Sequence, residues 1–116
     1  MTHLQEITRW VAEFDPQVMV VPRDRNILTI RRDVTGRRKC RVEEVFLLHR
    51  QRPKHYESLQ ECIRLENQLC LGENAPVFGE SSEIVAEKAQ LARILPGGQG
   101  LYQVTLKVTY TMNLEE

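Results

Sequence analysis

The chain has 116 residues, 41% of them hydrophobic and 28% charged, and its 16 basic residues balance its 16 acidic residues to a formal net charge of zero. These values are typical of an ordinary globular protein and exclude a uniformly basic or uniformly acidic one. We expect a single domain over residues 1–116, because a chain of this length buries roughly two-thirds of the surface that its unfolded form exposes.

The zero net charge conceals two parts of opposite sign. Residues 23–54 contain eleven basic and four acidic side chains, a balance of +7, whereas the remainder contains five basic and twelve acidic ones, a balance of −7. Such asymmetry indicates a surface that faces a polyanion, or subunits that meet head to tail. The alternative is a solvated strand face, since like charges on exposed strands also discourage edge pairing.

The cysteines and the N-terminal residues indicate an intracellular protein. Cys40, Cys62 and Cys70 cannot all pair within the chain, and the N-terminus has no signal-peptide pattern. We therefore expect reduced thiols, with Cys62 and Cys70 packed in a helix as small hydrophobic side chains rather than as metal ligands. No apolar run approaches the ~18 residues that a membrane span needs, so we expect no membrane association.

The first element is predicted to be a helix. Apolar residues recur at helical spacing over residues 4–14, and Thr2 followed by Gln5 matches a capping box. The Asp15-Pro16 pair is a helix-ending signal.

A short strand and a β-hairpin should follow. Residues 17–21 are rich in β-branched side chains and are closed by Pro22, which predicts a short strand at a sheet edge. Residues 26–33 and 38–49 alternate on either side of a turn at Val34-Thr35-Gly36, which predicts a hairpin. One face of its second arm carries Cys40, Val42, Glu44, Phe46 and Leu48. Within that arm residues 45–48 are apolar on both faces, as in a strand that is covered from both sides.

The second helix is predicted to begin at Pro53. The N–H group of the first helical residue has no partner within the helix, so proline, which lacks this group, loses no hydrogen bond there. It should end at Gly72, and residues 72–82 read as a loop. Its apolar stripe consists of Tyr56, Leu59, Cys62, Ile63, Leu69 and Cys70.

The C-terminal third should contain a long strand. Residues 83–95 fit either a helix, by propensity, or two strand pieces on either side of a bend. The Gly-rich residues 96–100 predict a turn, and residues 101–112 alternate as an antiparallel strand that is buried on one side and should be the longest in the sheet.

Residues that could carry catalysis or bind a metal form no recognisable motif. The chain has no CxxC, HxH or HExxH spacing and no GxSxG, and the glycines of residues 96–100 lack the Lys and Ser or Thr of a phosphate loop. We therefore expect no enzymatic activity, no cofactor and no metal. The candidate site is instead a basic cluster that faces a protein interface or a polyanion: Arg31, Arg32, Arg37, Arg38, Lys39 and Arg41.

In its order of elements the chain resembles the tail terminator and minor tail (minor capsid) proteins of tailed bacteriophages and prophages. The resemblance is carried by residues 42–50, by the helix that runs through Tyr56 and Leu59 to Leu69, and by residues 97–110. It implies a ring-shaped homo-oligomer, often a hexamer, that closes the tail tube or joins it to the head. It implies other tail or head-completion proteins as partners, and a location first in the bacterial cytoplasm and then in the virion tail.

Taken together, the patterns and the resemblance predict an α+β fold: a twisted, mainly antiparallel sheet of about four to five strands with two principal helices packed on it. The alternative function is a small module that uses the basic hairpin 23–54 to bind nucleic acid or an acidic protein. Aromatic residues do not interleave with the arginines, so we expect non-specific contact with DNA phosphates rather than sequence readout.

Overall fold

A computed structural model of the protein describes residues 2–50, 58–98 and 100–114. Within these residues the chain forms two helices and a five-stranded antiparallel sheet, which confirms the predicted α+β class. The elements in chain order are α1 (Leu4–Ala12), β1 (Val18–Arg32), β2 (Arg38–Arg50), α2 (Ser58–Leu71), β3 (Glu80–Ala86), β4 (Gln90–Ile94) and β5 (Gly100–Asn113).

The sheet has the strand order β1-β2-β5-β3, and β4 also pairs with β5. Ala86 of β3 pairs with Leu106, and Gln90 of β4 pairs with Gln103, so β4 follows β3 along the same side of β5. Strand β1 therefore lies at one edge of the sheet, and β3 and β4 together form the other.

Both helices contribute to a core that covers one face of the sheet, called here the inner face. This core contains Ile7, Trp10 and Val11 of α1, Cys62, Leu65 and Leu69 of α2, Cys40, Val42, Phe46 and Leu48 of β2, and Val104, Leu106, Val108 and Tyr110 of β5. The predicted alternation of β5 is confirmed by these buried positions. On the opposite, outer face Val45 is also buried and Leu47 is partly buried, as the apolar run of residues 45–48 predicts.

Strand β1 differs from its prediction because it is one strand of 15 residues rather than a short strand followed by a separate hairpin arm. Register shifts between Pro22 and Asp24 and between Ile27 and Thr29 let the strand accommodate a proline and remain paired with β2. The edge position and the hairpin are confirmed. Since β5 has 14 residues, the prediction that it is the longest strand is wrong by one residue.

The helix ends confirm some expectations and correct others. The capping box at Thr2 is wrong, because the N-cap of α1 is His3 and no side chain caps the helix. The backbone N–H of Gly72 donates to the Leu69 carbonyl at 3.1 Å, in agreement with the predicted end of α2. The predicted start of that helix at Pro53, and its Tyr56, lie outside the described residues.

Residues 83–95 adopt the second of the two predicted alternatives, two strand pieces separated by a short link. Pairing with β5 outweighs their helical propensity, which is a weak preference that tertiary contacts commonly override. The link is fixed to α2, because the backbone N–H of Ala89 donates to Glu66 Oε1 at 2.7 Å. The loop that precedes β3 is shorter than predicted, since β3 begins at Glu80.

The molecule is elongated, with principal extents of 58 × 26 × 20 Å and a radius of gyration of 16.2 Å. A compact chain of similar length has a radius of gyration of about 13 Å. A strand of 15 residues spans roughly 50 Å at about 3.3 Å per residue, so the β1–β2 hairpin accounts for most of the long axis.

Candidate functional site: the basic hairpin and the two sheet edges

The structure gathers the six predicted basic residues at the end of the β1–β2 hairpin. Arg31 and Arg32 end β1, Arg37 follows the turn, and Arg38, Lys39 and Arg41 begin β2. Because side chains alternate along a strand, Lys39 and Arg41 point to the outer face together with Arg31, which lies opposite Lys39. Arg32 and Arg38 lie opposite each other on the inner face.

Arg41 is engaged within the chain. Its guanidinium donates to the Ser81 carbonyl at 2.7 Å and to the hydroxyls of Thr109 and Thr111 at 3.2 Å each. These bonds run from β2 across β5 to β3. Arg41 therefore ties three strands together on the outer face.

Lys39 is also paired within the chain. Its ammonium donates to the carboxylate of Glu80 at 2.9 and 3.0 Å and lies 3.8 Å from a carboxylate oxygen of Asp33. The hydrogen bond to Glu80 raises the pKa of Lys39 above its ordinary value. Of the six predicted residues, Lys39 and Arg41 thus hold the sheet together as well as contributing charge.

The hairpin turn is ordered by a single carboxylate. Asp33 accepts hydrogen bonds from the Thr35 hydroxyl, from the Thr35 backbone N–H at 2.9 Å and from the Arg37 backbone N–H at 3.1 Å. The bond from the Thr35 hydroxyl is the main cause that lowers the pKa of Asp33. Arg37 is therefore presented from a hydrogen-bonded turn rather than from an irregular loop.

Like charges lie directly opposite each other next to this turn. Arg31 pairs with Lys39, and Arg32 pairs with Arg38, so two successive rows of the hairpin are entirely basic. Like charges in such cross-strand positions are destabilising. Glu80 and Asp33 already offset the charge of Lys39, and an anion or an acidic surface bound here would relieve the repulsion that remains.

Strand β1 is exposed along most of its length and includes apolar side chains. Residues 22–32 are all exposed, and Ile27, Leu28 and Ile30 retain 55%, 49% and 58% of their accessible surface. Single exposed apolar residues are ordinary, but three within four positions of an edge strand form a patch. An edge strand of this kind offers unpaired backbone groups to another chain.

The opposite edge of the sheet is acidic. Strand β3 carries Glu80 and Glu83, both exposed, together with Val85, which retains 47% of its accessible surface. Strand β1, in contrast, carries Arg23, Arg25, Arg31 and Arg32 against Asp24 alone. Strands β1 and β3 of one molecule therefore carry opposite net charge, although Glu80 already pairs with Lys39 and β4, on the same side of the sheet as β3, carries Arg93. Both strands expose apolar side chains.

A buried carboxylate links the N-terminus to the sheet and was not singled out by the sequence patterns. Glu44 is fully buried and accepts hydrogen bonds from the His3 backbone N–H at 2.7 Å and from His3 Nδ1 at 2.6 Å. Burial acts to raise the pKa of Glu44, but hydrogen bonds from Tyr110 and His3 outweigh it, so the pKa lies below its ordinary value. In the sequence, the sign of this buried site is that Glu44 is the one charged residue on the otherwise apolar face formed by Cys40, Val42, Phe46 and Leu48.

The thiols occupy two kinds of environment. Cys40 and Cys62 are buried, and burial raises the pKa of Cys62 to about 11, so that thiol is unreactive. Cys70 is exposed, which corrects the prediction that it packs in the helix stripe.

Among residues 2–50, 58–98 and 100–114, no group of three or more His, Cys, Asp or Glu side chains is arranged to hold a metal ion.

Comparison with known proteins yields no relative: no family model, curated protein or solved structure matches the chain. In the described part of the chain, neither helix has the length and apolar character required to cross a membrane. A functional assignment therefore depends on the hairpin and the two sheet edges.

Proposed function

We propose that this protein is a structural component of a bacteriophage or prophage virion, a tail terminator or head–tail joining protein that acts as a homo-oligomeric ring. Its partners are further copies of itself, with a hexamer as the ring size that the family resemblance suggests, and other tail or head-completion proteins. It is made in the cytoplasm of a bacterial host and incorporated into the virion tail. The proposal assigns it no catalytic role.

The observation that carries this proposal is the opposite character of the two sheet edges. A ring requires two different surfaces on each subunit that are complementary to each other. The β1 edge is basic and the β3 edge is acidic, and β2 and β5 separate them. Since one molecule cannot bring its own edges together, the complementarity favours contact between copies.

Light scattering combined with size-exclusion chromatography tests the ring. At about 50 mM salt we expect one discrete oligomer, and at about 500 mM salt a shift toward monomer, because exposed charge pairs are screened over a shorter distance. Negative-stain electron microscopy of the oligomer should show closed rings. A monomer at every concentration and salt would contradict the proposal.

The gene neighbourhood tests the virion assignment separately from the ring. Genes for portal, head-completion and tail-tube proteins should lie beside the gene for this chain. A locus without them would contradict the phage role even if the purified protein formed rings.

A second candidate function, a module that binds nucleic acid or an acidic protein, is favoured by the like-charged rows of the hairpin. Arg31 and Arg32 are exposed and stand opposite further basic residues, and Arg37 extends from the adjoining turn. Such a cluster suits phosphate contacts, whose strength falls steeply as salt rises.

Titration with duplex DNA at several salt concentrations separates this candidate from the ring. The variant with Arg31, Arg32 and Arg37 changed to Ser should bind more weakly and show a shallower salt dependence. A matched control changes Arg9, Arg64 and Lys88, all exposed and outside the hairpin, to Ser and should bind as the unmodified protein does. No detectable binding by the unmodified chain at low salt would eliminate this candidate.

A further inference from the structure

We propose that copies of this protein join edge to edge, with β1 of one copy adding to β3 of the next to form one continuous antiparallel sheet. The inference deepens the proposed ring and depends on it, since it names the partner as a second copy and identifies the two surfaces that meet. Pairing an added strand with an exposed sheet edge is a common mode of association, because it satisfies the backbone N–H and C=O groups of both edges.

The strand directions permit this junction. In the order β1-β2-β5-β3 every neighbouring pair is antiparallel, so directions alternate across four strands. Strand β1 therefore runs opposite to β3. A second copy placed beside the first in the same orientation brings its β1 against β3 with the alternation unbroken, and all helices remain on the same face of the extended sheet.

The register within one copy indicates which residues would meet. Pairing partners across the four strands form rows, of which one contains Thr29, Arg41, Thr111 and Glu80 and another contains Asn26, Glu43, Thr109 and Glu83. The row that ends at Ala86 of β3 begins at Pro22 of β1. All of β3 is thus level with residues 22–29 of β1. A copy placed without displacement along the strands puts Glu83 opposite Asn26 and Glu80 opposite Thr29.

Charge favours this junction over the symmetric ones. In the undisplaced register Glu80, which also pairs with Lys39 of its own copy, is a diagonal neighbour of Arg31, a distance that long side chains reach. Glu83 has Asp24 as a diagonal neighbour, and the carboxylate of Asp24 pairs with Arg23. A pairing of two β1 edges would instead bring the arginines of the two copies together, and a pairing of two β3 edges would bring Glu80 and Glu83 of one copy close to those of the other. Like-charge contacts of this kind exclude wrong partners, so the edges select head-to-tail contact.

The exposed apolar side chains have a role in the same contact. Ile27 and Ile30 pair with Val42 and Cys40, whose side chains lie on the inner face, so both isoleucines also lie toward that face at the β1 edge. Ile84 of β3 lies toward the inner face as well, opposite Val108. In the undisplaced register Ile84 of the next copy lies opposite Arg25 and has Ile27 as its diagonal neighbour, so edge pairing extends the core across the junction through Ile27, whereas Ile30 lies beyond the end of β3.

Features that protect β1 from indiscriminate pairing are consistent with a selective contact. Pro22, two register shifts and four arginines are devices that natural proteins use to limit edge-to-edge aggregation. Pro22 lies at the level of Ala86, the last residue of β3. The segment available for pairing therefore matches the length of β3.

Disulfide trapping tests the contact directly. In a background with the exposed Cys70 changed to Ser, one preparation carries Asn26→Cys and a second carries Glu83→Cys. On mild oxidation an equal mixture should form a crosslinked dimer that neither preparation forms alone.

Asn26→Cys is also mixed with Glu80→Cys and with Val85→Cys, which share the outer face with Glu83 and detect a shift of register by two residues. The control partner is Leu71→Cys, which is exposed at the end of α2 and should not crosslink.

Failure of this inference is distinguishable from failure of the ring. If discrete oligomers form but Asn26→Cys crosslinks with none of the three β3 positions, the ring exists and the edge contact is wrong. Crosslinking of Asn26→Cys with itself would also overturn the inference, because it indicates paired β1 edges. If no oligomer forms under any condition, the proposed function fails together with the inference.

Charge exchange provides an independent test. The variant Arg31→Glu/Arg32→Glu has two acidic edges, and the variant Glu80→Lys/Glu83→Lys has two basic ones. Each alone should associate at least about tenfold more weakly than the unmodified chain, because its two edges repel. An equal mixture should form oligomers in which the two variants alternate, as light scattering and native mass spectrometry would record.

The controls for charge exchange change the exposed helix residues by the same amount. Glu6→Lys/Glu13→Lys and Arg9→Glu/Arg64→Glu should assemble as the unmodified chain does. Since Glu80 also pairs with Lys39, thermal unfolding of each monomer confirms that the variants are folded. Full assembly of either edge variant alone would overturn the inference.

Discussion

The two arms of the β1–β2 hairpin are neighbours in sequence and in space, yet their environments are opposite. Of residues 40–48 in β2, six are buried, whereas residues 22–32 of β1 are all exposed. Residues 40–48 include six apolar side chains, whereas residues 22–32 include Pro22, Ile27, Leu28 and Ile30 among seven polar or charged ones. Position adds to this difference, because β2 lies between β1 and β5 under the helices while β1 has a neighbour on one side only. Composition and position together make one arm part of the core and leave the other an open surface.

Truncating one large apolar residue in each arm should give the largest contrast. Phe46→Ala in β2 removes a fully buried ring and should lower the free energy of unfolding by about 3–5 kcal/mol. Ile27→Ala in β1 should change it by less than about 0.5 kcal/mol, because that side chain is more than half exposed. Urea unfolding at high salt, where copies separate, measures both.

The order of the two effects should be reversed when association between copies is measured instead of monomer stability. Ile27→Ala is expected to weaken association while leaving the monomer stable. A large loss of monomer stability from Ile27→Ala would mean that β1 belongs to the core rather than to an assembly surface.

The sequence identifies these elements because their periodicity follows directly from burial on one face. The helix stripe of residues 4–14, the hairpin turn and the alternation of residues 101–112 all reflect packing against one common core. The edge position of β1 was also predictable, since Pro22 is poorly tolerated between two paired strands.

The features that decide the candidate site depend on contacts that no local pattern contains. The side chains of Arg31 and Arg41 look equivalent in sequence, but only the register of β2 with β5 places Arg41 beside Thr109 and Thr111. The exposure of Cys70 and the strand state of residues 83–95 are likewise set by tertiary packing. The acidic edge could not be located because the sequence predicts a loop over residues 72–82 and leaves residues 83–95 open between a helix and two strand pieces.

Loss of the Glu44 carboxylate should have the next largest effect. Glu44→Ala leaves the donors of His3 and Tyr110 without their acceptor in a buried site, which should lower the free energy of unfolding by roughly 2–4 kcal/mol. The control Glu43→Ala, on the outer face and only partly buried, should cost much less. Equal losses from the two variants would contradict a special role for the buried carboxylate.

The same carboxylate predicts a pH dependence. Because the pKa of Glu44 is lower in the folded chain than its ordinary value of 4.5, its contribution to stability is fully present above that value. The contribution is lost as the pH falls from 4.5 through the folded pKa. Glu44→Gln should therefore flatten the decline of stability in this acidic range, as urea midpoints measured at successive pH values would record.

Arg41 and Arg31 provide a smaller contrast within the basic cluster. Arg41→Met removes three hydrogen bonds that connect β2, β5 and β3, and should lower the free energy of unfolding by about 1–2 kcal/mol. Hydrogen exchange should then increase along β3. Arg31→Met should leave monomer stability nearly unchanged or raise it slightly, because it relieves the like-charge pair with Lys39. A greater loss from Arg31→Met than from Arg41→Met would reverse the roles inferred for the two residues.

The smallest effect is expected at the hairpin turn, where it tests whether the end of the hairpin is independent of the core. Gly36 has a φ of +84°, and a Cβ there would meet no atom within 4 Å, so a substitution changes backbone strain alone. Gly36→Ala should lower the free energy of unfolding by about 1 kcal/mol, whereas Gly36→Asn should cost less, because asparagine tolerates the left-handed region better. Hydrogen exchange should increase near Thr35 and Arg37 in Gly36→Ala but remain unchanged around Phe46. If protection around Phe46 fell equally, the hairpin end and the core would unfold as one unit, and the contrast between the two arms would be one of exposure alone.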